Sequence, residues 1–193
     1  YGRVDTVKEE NRQLLEKALT AGMRWICLGI EAASPDVRDG VDKNDYGVED
    51  IVATCNRIKS IGMNIIGNFM VGLNQDTRET MEQTLRLAVE IMPEFFNIYG
   101  TMSYPGAPLW ALLPEAERNY DWKTYSHHAY ECMPAGNDTL SPRDVLAFRD
   151  SAFQTYFTNP SYLAIVEQKF GAKARADIEA MTKIKLKREL LGG

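Results

Sequence analysis

Histidine, cysteine and long apolar runs are what this chain has least of. Its two histidines are neighbours, His127 and His128. Adjacent residues point apart, and no carboxylate or thiol stands at ligand spacing beside them, so they read as surface or packing residues rather than metal ligands. The three cysteines, Cys27, Cys55 and Cys132, lie far apart. No two form a CxxC or CxxxCxxC set, so no metal-ligand set is expected within this chain. An odd, sparse count also argues against a disulfide framework and fits a reducing compartment. Cys27 falls on a predicted strand and Cys55 on a predicted helix face, and both read as buried thiols. No apolar run approaches the ~18 residues needed to cross a bilayer, and no signal peptide is recognisable; a cytoplasmic protein with no membrane partner is expected. Positive charge is short as well: 22 basic against 27 acidic residues leave a net charge of −5, which argues against a surface built for nucleic acid. No GxGxxG follows any predicted strand, which disfavours a dinucleotide-binding sheet. The chain opens Tyr1-Gly2-Arg3 without an initiator methionine, and is expected to be part of something longer.

What is present is an ordinary globular composition, 45% hydrophobic and 25% charged over 193 residues, enough for one domain with a real core. It is arranged as a repeat. Thr6-Val7-Lys8-Glu9 reads as a capping box, Leu14, Leu15, Ala18 and Leu19 recur at helical spacing, and Gly22 supplies a left-handed stop. A strand over 24–30 follows, and its residues 25–30 are an uncharged run of a type that suits a strand covered on both faces. The second unit repeats this. Val48, Ile51, Val52, Cys55 and Ile58 line a helix, Gly62 stops it, and a strand runs over 65–71. Ala21-Gly22-Met23 and Ile61-Gly62-Met63 mark corresponding points of an internal helix–strand repeat. A third unit opens at Asp76-Thr77-Arg78-Glu79, read as another capping box, ends its helix at Pro93, and leads into a strand over 95–103. Helices alternating with buried strands imply parallel pairing, and a partial (β/α) TIM-type barrel, a half barrel, fits better than an open nucleotide-binding sheet. Tyr1–Val4 reads as the stub of a preceding strand. Closing a barrel takes about eight strands. Either this sheet stays open, or the missing strands lie upstream.

Beyond Pro108 the pattern changes. A short helix over 109–117 precedes an aromatic, irregular stretch containing Tyr120, Trp122, Tyr125 and Tyr130. Ser141-Pro142 starts a helix with a heavy apolar face, Asn159-Pro160 breaks it, a helix follows from 161 to 170, and a last one spans 173–190. The Lys and Arg of 183–188 read as a solvated helix face. Residues 114–193 are expected to form a helical extension packed on a barrel portion at 1–113.

The polar residues at the strand ends are the candidates for chemistry. Glu31 closes the first full strand on the face of Gly29 and Cys27, where α/β folds bind ligands. It is equally readable as a cap or as the partner of a nearby Lys or Arg. Asn68 shares a face with Met70 and Gly72 in a buried strand, so it needs a partner: a ligand, a neighbouring strand or a water. Met102 and Tyr104 lead into Pro105-Gly106-Ala107-Pro108, a rigid turn.

Taken together, Leu28-Gly29-Ile30-Glu31-Ala32-Ala33-Ser34, Lys43, the segment from Gly67 to Thr77 and Ser103-Tyr104-Pro105-Gly106-Ala107-Pro108-Leu109 resemble the second half of the radical S-adenosylmethionine (SAM) barrel. The resemblance is nearest to the cobalamin-binding subgroup and covers about residues 1–113. It implies a parent enzyme that cleaves SAM reductively at a 4Fe–4S cluster to start radical chemistry. Cobalamin-dependent methyl transfer would be one outcome. It further implies that Glu31 contacts SAM, Lys43 meets the methionyl carboxylate, Asn68 binds the ribose hydroxyls, Met70 touches adenine, and the backbone of Met102 to Tyr104 helps hold the base, with Arg3 at the end of the preceding strand. The three-cysteine loop of the family is absent; it would lie upstream of Tyr1, in the missing N-terminal half barrel, so no cluster is expected in this fragment. The fragment itself is expected to be inactive. The family's Gly-Leu-Pro-Gly-Glu-Thr appears as Gly72-Leu73-Asn74-Gln75-Asp76-Thr77. Two other classes stay open: a stand-alone half-barrel binding or assembly module, and a non-radical (β/α) barrel enzyme using Glu31 as acid or base. The substrate, a small molecule or otherwise, is not indicated.

Overall fold

A computed structural model describes residues 1–7, 11–43, 45–113, 115, 118 and 121–193. Alternating helices and strands give one parallel sheet in the order β1 (Gly2–Arg3), β2 (Trp25–Glu31), β3 (Asn64–Val71), β4 (Phe95–Gly100). The helices between them are α1 (Arg12–Thr20), α2 (Pro35–Asp39), α3 (Val48–Ser60) and α4 (Arg78–Ile91). This is the expected partial (β/α) barrel, with Gly2–Arg3 as the stub strand beside β2.

The repeat is real at the level of its stops. Gly22 and Gly62 both take the left-handed conformation, φ 106° and 85°, which lets the chain leave each helix and enter the next strand without Cβ strain. The helix starts differ from expectation. Glu9 of the Thr6–Glu9 box lies outside the described residues; Thr6 instead donates to the Arg3 carbonyl, and α1 begins after Asn11. α4 is capped by Thr77, whose hydroxyl accepts from the Thr80 N–H, and not by Asp76. Asp76 is buried and turned back into the preceding loop, where it accepts from the Leu73 N–H at 3.1 Å and from the Thr80 hydroxyl at 2.7 Å. Burial pushes its carboxyl up and these donors oppose that.

The sheet is covered on one face, not two. Ile26, Leu28, Ile30, Ile65, Phe69, Val71, Phe96 and Ile98 are buried against Ile51, Cys55 and Ile58 of α3 and Met81, Ala88 and Ile91 of α4. The alternate residues Cys27, Gly29, Asn68, Met70, Asn97 and Tyr99 are only half-buried, so Cys27 is not the buried thiol its uncharged strand suggests. A period of two puts successive side chains on opposite faces, and helices lie on only one of them.

The helices after β4 are α5 (Pro108–Leu112), α6 (Pro142–Phe157), α7 (Pro160–Phe170) and α8 (Ala172–Thr182). Ser141 caps α6 with Pro142 at its first position, as the sequence suggests. Helix α5 is shorter than expected, and Pro114, Ala116, Glu117 and Tyr120 lie outside the described residues. Val145, Phe148, Tyr156 and Tyr162 share one buried core with Ile65, Phe69 and Phe96. Arg149 donates to the Ile98 carbonyl at 3.3 Å, so α6 occupies the side of the edge strand β4. At the opposite end of the strands, buried Glu94 accepts from the Ile65 N–H at 2.8 Å and pairs with Lys169.

The basic run 183–188 is not a helix face. Helix α8 stops at Thr182, and Arg188 is buried, paired with Asp150 at 2.9 Å and donating to the carbonyls of His127 and Ala129. Its contacts cross 38 residues or more, a distance that helical periodicity cannot report. No helix among the described residues is long and apolar enough to cross a membrane.

Candidate functional site

Parallel register aligns one row of residues across all four strands: Arg3 opposite Gly29, Gly29 opposite Asn68, Asn68 opposite Asn97. One step toward the C-terminal ends, Met70 stands opposite Tyr99. All lie on the half-buried face. Arg3, Gly29, Asn68, Met70 and Tyr99, with Glu31, Lys43, Thr6 and Tyr1, line an open cleft of about 620 Å3.

Glu31 ends β2 with φ 65°, a left-handed conformation rare for a residue with a Cβ, and the β2–β3 register slips between Gly29 and Glu31. The bulge turns the carboxylate back over the strand, where Lys43 pairs with it; their side chains are 13% and 16% exposed. The pair fits because Gly29 has no side chain. A Cβ there would stand 2.9 Å from Lys43 Nζ and 3.0 Å from Glu31 Oε1.

Lys43 is delivered by a loop organised around Arg38, which has no exposed surface. Its guanidinium donates to the carbonyls of Ala32 at 2.7 Å, Ala33 at 2.6 Å, Lys43 at 2.9 Å and Tyr46. Burial lowers its pKa, and the Tyr46 ring stacks 4.7 Å from its Cζ. Arg3 is held by Asp5 at 3.0 Å and donates to the Asp42 carbonyl at 2.9 Å, which ties β1 to the same loop. The Arg3 hydrogen bonds hold the Asp5 carboxyl below its ordinary range.

Asn68 has a partner on the neighbouring strand: Asn97 donates to its Oδ1 at 3.0 Å. Tyr99 adds its ring to the cleft, and burial raises its phenol above the ordinary tyrosine range. Asn97, Tyr99 and Arg38 were not singled out from the sequence. Asn97 does have a signal there, a polar residue on the alternation of an otherwise apolar strand.

Glu31, Lys43, Asn68 and Met70 therefore come together. Met102 and Tyr104 do not join them through their side chains. Met102 is buried against Cys132 and Leu146 beyond the end of β4, and Tyr104 is exposed and packs on Tyr125 at 5.5 Å. His127 packs against Tyr99 at 5.2 Å, consistent with a packing role. Among the described residues no group of three or more His, Cys, Asp or Glu could hold a metal ion. Cys55 is sealed in the core, Cys132 is buried beyond β4, and Cys27 lies mid-strand. These thiols do not fit an iron–sulfur cluster.

A parallel sheet backed by helices, with charged and amide side chains gathered at its carboxyl ends, is the ligand side of a partial (β/α) barrel. Residues 3–88 match the radical SAM superfamily. An uncharacterized methyltransferase of Pyrococcus horikoshii is 26% identical over 126 residues, 64% of this chain and 27% of the relative. The bacteriochlorophyllide d C-12(1)-methyltransferase of Chlorobaculum tepidum is 22% identical over 66% of this chain and 28% of its own. The anaerobic magnesium-protoporphyrin IX monomethyl ester cyclase of Cereibacter sphaeroides is 30% identical over 64% of this chain and 20% of its own. The chain thus spans about a quarter of the length of these curated relatives. Among solved structures, coproporphyrinogen III oxidase of Escherichia coli aligns with a TM-score of 0.47 and 20% identity, over 53% of this chain and 23% of that one.

Proposed function

We propose that residues 1–113 are the C-terminal portion of the catalytic barrel of a radical SAM enzyme, with 114–193 as its helical extension, and that the cleft over the Gly29–Asn68–Asn97 row holds SAM. The observation that carries this is the Glu31–Lys43 pair, seated over Gly29 beside the Asn68–Asn97 pair at the carboxyl ends of the strands.

The cleft fits the cofactor's polar groups. An ammonium has three donors, and Lys43 directs one at Glu31, which leaves two for the methionyl carboxylate. Glu31 offers a carboxylate to the methionyl ammonium. Asn97 fixes the amide of Asn68 so that it faces the ribose hydroxyls, and Met70 gives adenine an apolar neighbour. Met102 and Tyr104 would act through the backbone of 101–104. When bound, SAM would supply radical chemistry able to take hydrogen from an unactivated C–H bond, one electron breaking a sulfur–carbon bond and methionine leaving. The cluster that delivers the electron would be ligated by residues outside this chain. The further strands of the parent would add at β1, since α6 occupies the side of β4. The chain alone would be inactive and bind SAM weakly. Two methyltransferases among the relatives favour methyl transfer as the parent's reaction; cobalamin as a further cofactor rests on the sequence resemblance alone.

The test is anaerobic calorimetric titration of the full-length protein with SAM. Lys43→Ala and Glu31→Gln should each weaken binding by about 10- to 100-fold, the worth of a charge-assisted hydrogen bond, with little change in unfolding midpoint. Unchanged affinity in both would sink the assignment. Loss of turnover in Glu31→Gln with SAM affinity intact would instead make Glu31 an acid or base.

A further inference from the structure

Beyond β4 the chain forms a second, partly open cavity, of about 650 Å3, that the SAM cleft does not include. Its walls come from two stretches, 103–113 and 124–142. We propose that this cavity is a small-molecule site taking the uncharged, largely apolar part of the substrate, with Ser103 as its hydrogen-bonding group. The inference rests on reading the neighbouring cleft as the cofactor side.

Three observations support it. The first is Ser103. It is 8% exposed, lines the cavity, and its hydroxyl has no hydrogen-bond partner among the described residues. Buried polar groups in folded proteins are satisfied almost without exception, so an unspent hydroxyl on a residue that lines a cavity marks where a ligand's polar atom belongs.

The second is the chemistry of the lining. Leu109, Leu113, Tyr125, Met133 and Leu140 make most of it apolar. Among the described residues no lysine or arginine lines it, and the one charged residue that does, Asp138, is exposed. A site without a cation does not select a carboxylate or phosphate. A volume in the range of about 300–1,000 Å3, with few convergent polar groups, is what small-molecule sites have.

The third is that the walls are built rather than loose. The Ala135 N–H donates to the Thr101 carbonyl at 2.7 Å, and the Met133 N–H to the Thr124 carbonyl at 2.8 Å. The Asn137 oxygen accepts from the backbone of Thr139 and Leu140, both at 2.9 Å. The Asn137 amide donates to the carbonyls of Leu73 at 2.8 Å and Asp76 at 2.9 Å, and Thr139 donates to the Asp76 carbonyl at 2.8 Å. One wall is therefore fastened to the loop that follows β3, the strand carrying Asn68 and Met70. Such a wall costs little ordering when a ligand arrives.

The experiment uses two neutral fluorescent probes, 1-methylnaphthalene and 1-naphthol, titrated into the full-length protein. They differ only in a methyl group exchanged for a hydroxyl. Met133 is 42% exposed, so Met133→Trp can fill the cavity without disturbing the core. It should weaken both probes by more than about tenfold, the loss expected when an apolar ring is displaced from its pocket. Leu109→Trp serves the same end if the first variant does not fold. Ser103→Ala should leave 1-methylnaphthalene unchanged and weaken 1-naphthol by about three- to tenfold, one ordinary hydrogen bond. Ile184→Glu, in the separate apolar cavity between α6 and 181–186, should change neither. The proposal is overturned if the cavity-filling variants leave both probes bound, or if Ile184→Glu releases them. Equal effects of Ser103→Ala on the two probes would overturn the role of Ser103. None of these titrations needs SAM or a cluster, so their failure is distinct from failure of the cofactor assignment.

Discussion

Replacing Arg38 by Met is the sharpest perturbation the loop of 32–46 offers. The side chain is fully buried and its donors reach four backbone carbonyls, three of them on residues flanking or delivering the cleft. Met keeps much of the volume and none of the donors. A stranded buried carbonyl costs about 1–3 kcal/mol, so four of them cost about 4–12 kcal/mol. Against this, removing a desolvated cation returns several kcal/mol, about 5 as a working figure. The balance is a loss of about 3 kcal/mol, a large part of the roughly 5–15 kcal/mol that holds a domain together. In urea, with a slope of about 1–3 kcal/mol/M, the midpoint should fall by about 1–3 M. Arg38→Lys should fall between, since an ammonium supplies donors without the planar fork. Measured beside SAM affinity in the full-length protein, Arg38→Met should weaken binding as well, because the Lys43 carbonyl is one of the four anchors. A variant with the parent's midpoint and slope would show that water replaces the guanidinium. The loop would then be held by something other than Arg38.

Gly29→Ala should separate binding from stability. The new Cβ meets only the flexible ends of Lys43 and Glu31 within 3.0 Å, so the unfolding midpoint should move by less than about 1 kcal/mol while SAM binding drops roughly tenfold; equal affinities would refute the crowding argument. His127 is held down to about 4 by burial and then by nearby Arg149, so its native ring is neutral where the unfolded ring, near 6.5, takes a proton. The unfolded state binds more protons in that window, and stability should fall as pH drops from 6.5 toward 4, with His127→Gln flattening the slope; an NMR titration midpoint near 6.5 would contradict this. Burial pushes the Cys55 thiol up to about 12 and raises Cys132 as well, whereas Cys27 lies half-exposed on the open sheet face. Iodoacetamide at neutral pH should therefore label Cys27 alone until the protein is unfolded, as peptide mass mapping would show.

The helices and strands were legible because their signals are local. Gly22 and Gly62 stop helices by their own backbone freedom, Ser141-Pro142 starts one within a single turn, and period-two alternation places Glu31 and Asn68 on the ligand face before any contact is known. The resemblance to the radical SAM barrel rests on the same kind of information, short segments in a fixed order, and the family match over 3–88 bears it out. Where local reading failed, a distant partner decided. The covering of the second sheet face could not be inferred from an uncharged strand, because Cys27 and Gly29 are as apolar as residues that are buried.

What the sequence alone determined is the parallel α/β order; the resemblance it carries grouped Glu31, Lys43, Asn68 and Met70 with Met102 and Tyr104. What only the tertiary structure decided is how that group is built. The bulge that turns Glu31 over Gly29, the Asn97 amide that occupies Asn68, the burial of Arg38 under the Lys43 loop and of Arg188 beside Asp150, and the cavity at Ser103 all join residues from separate elements. Propensity and periodicity act over a few residues, whereas sheet register, close packing and the satisfaction of buried donors are set across the fold.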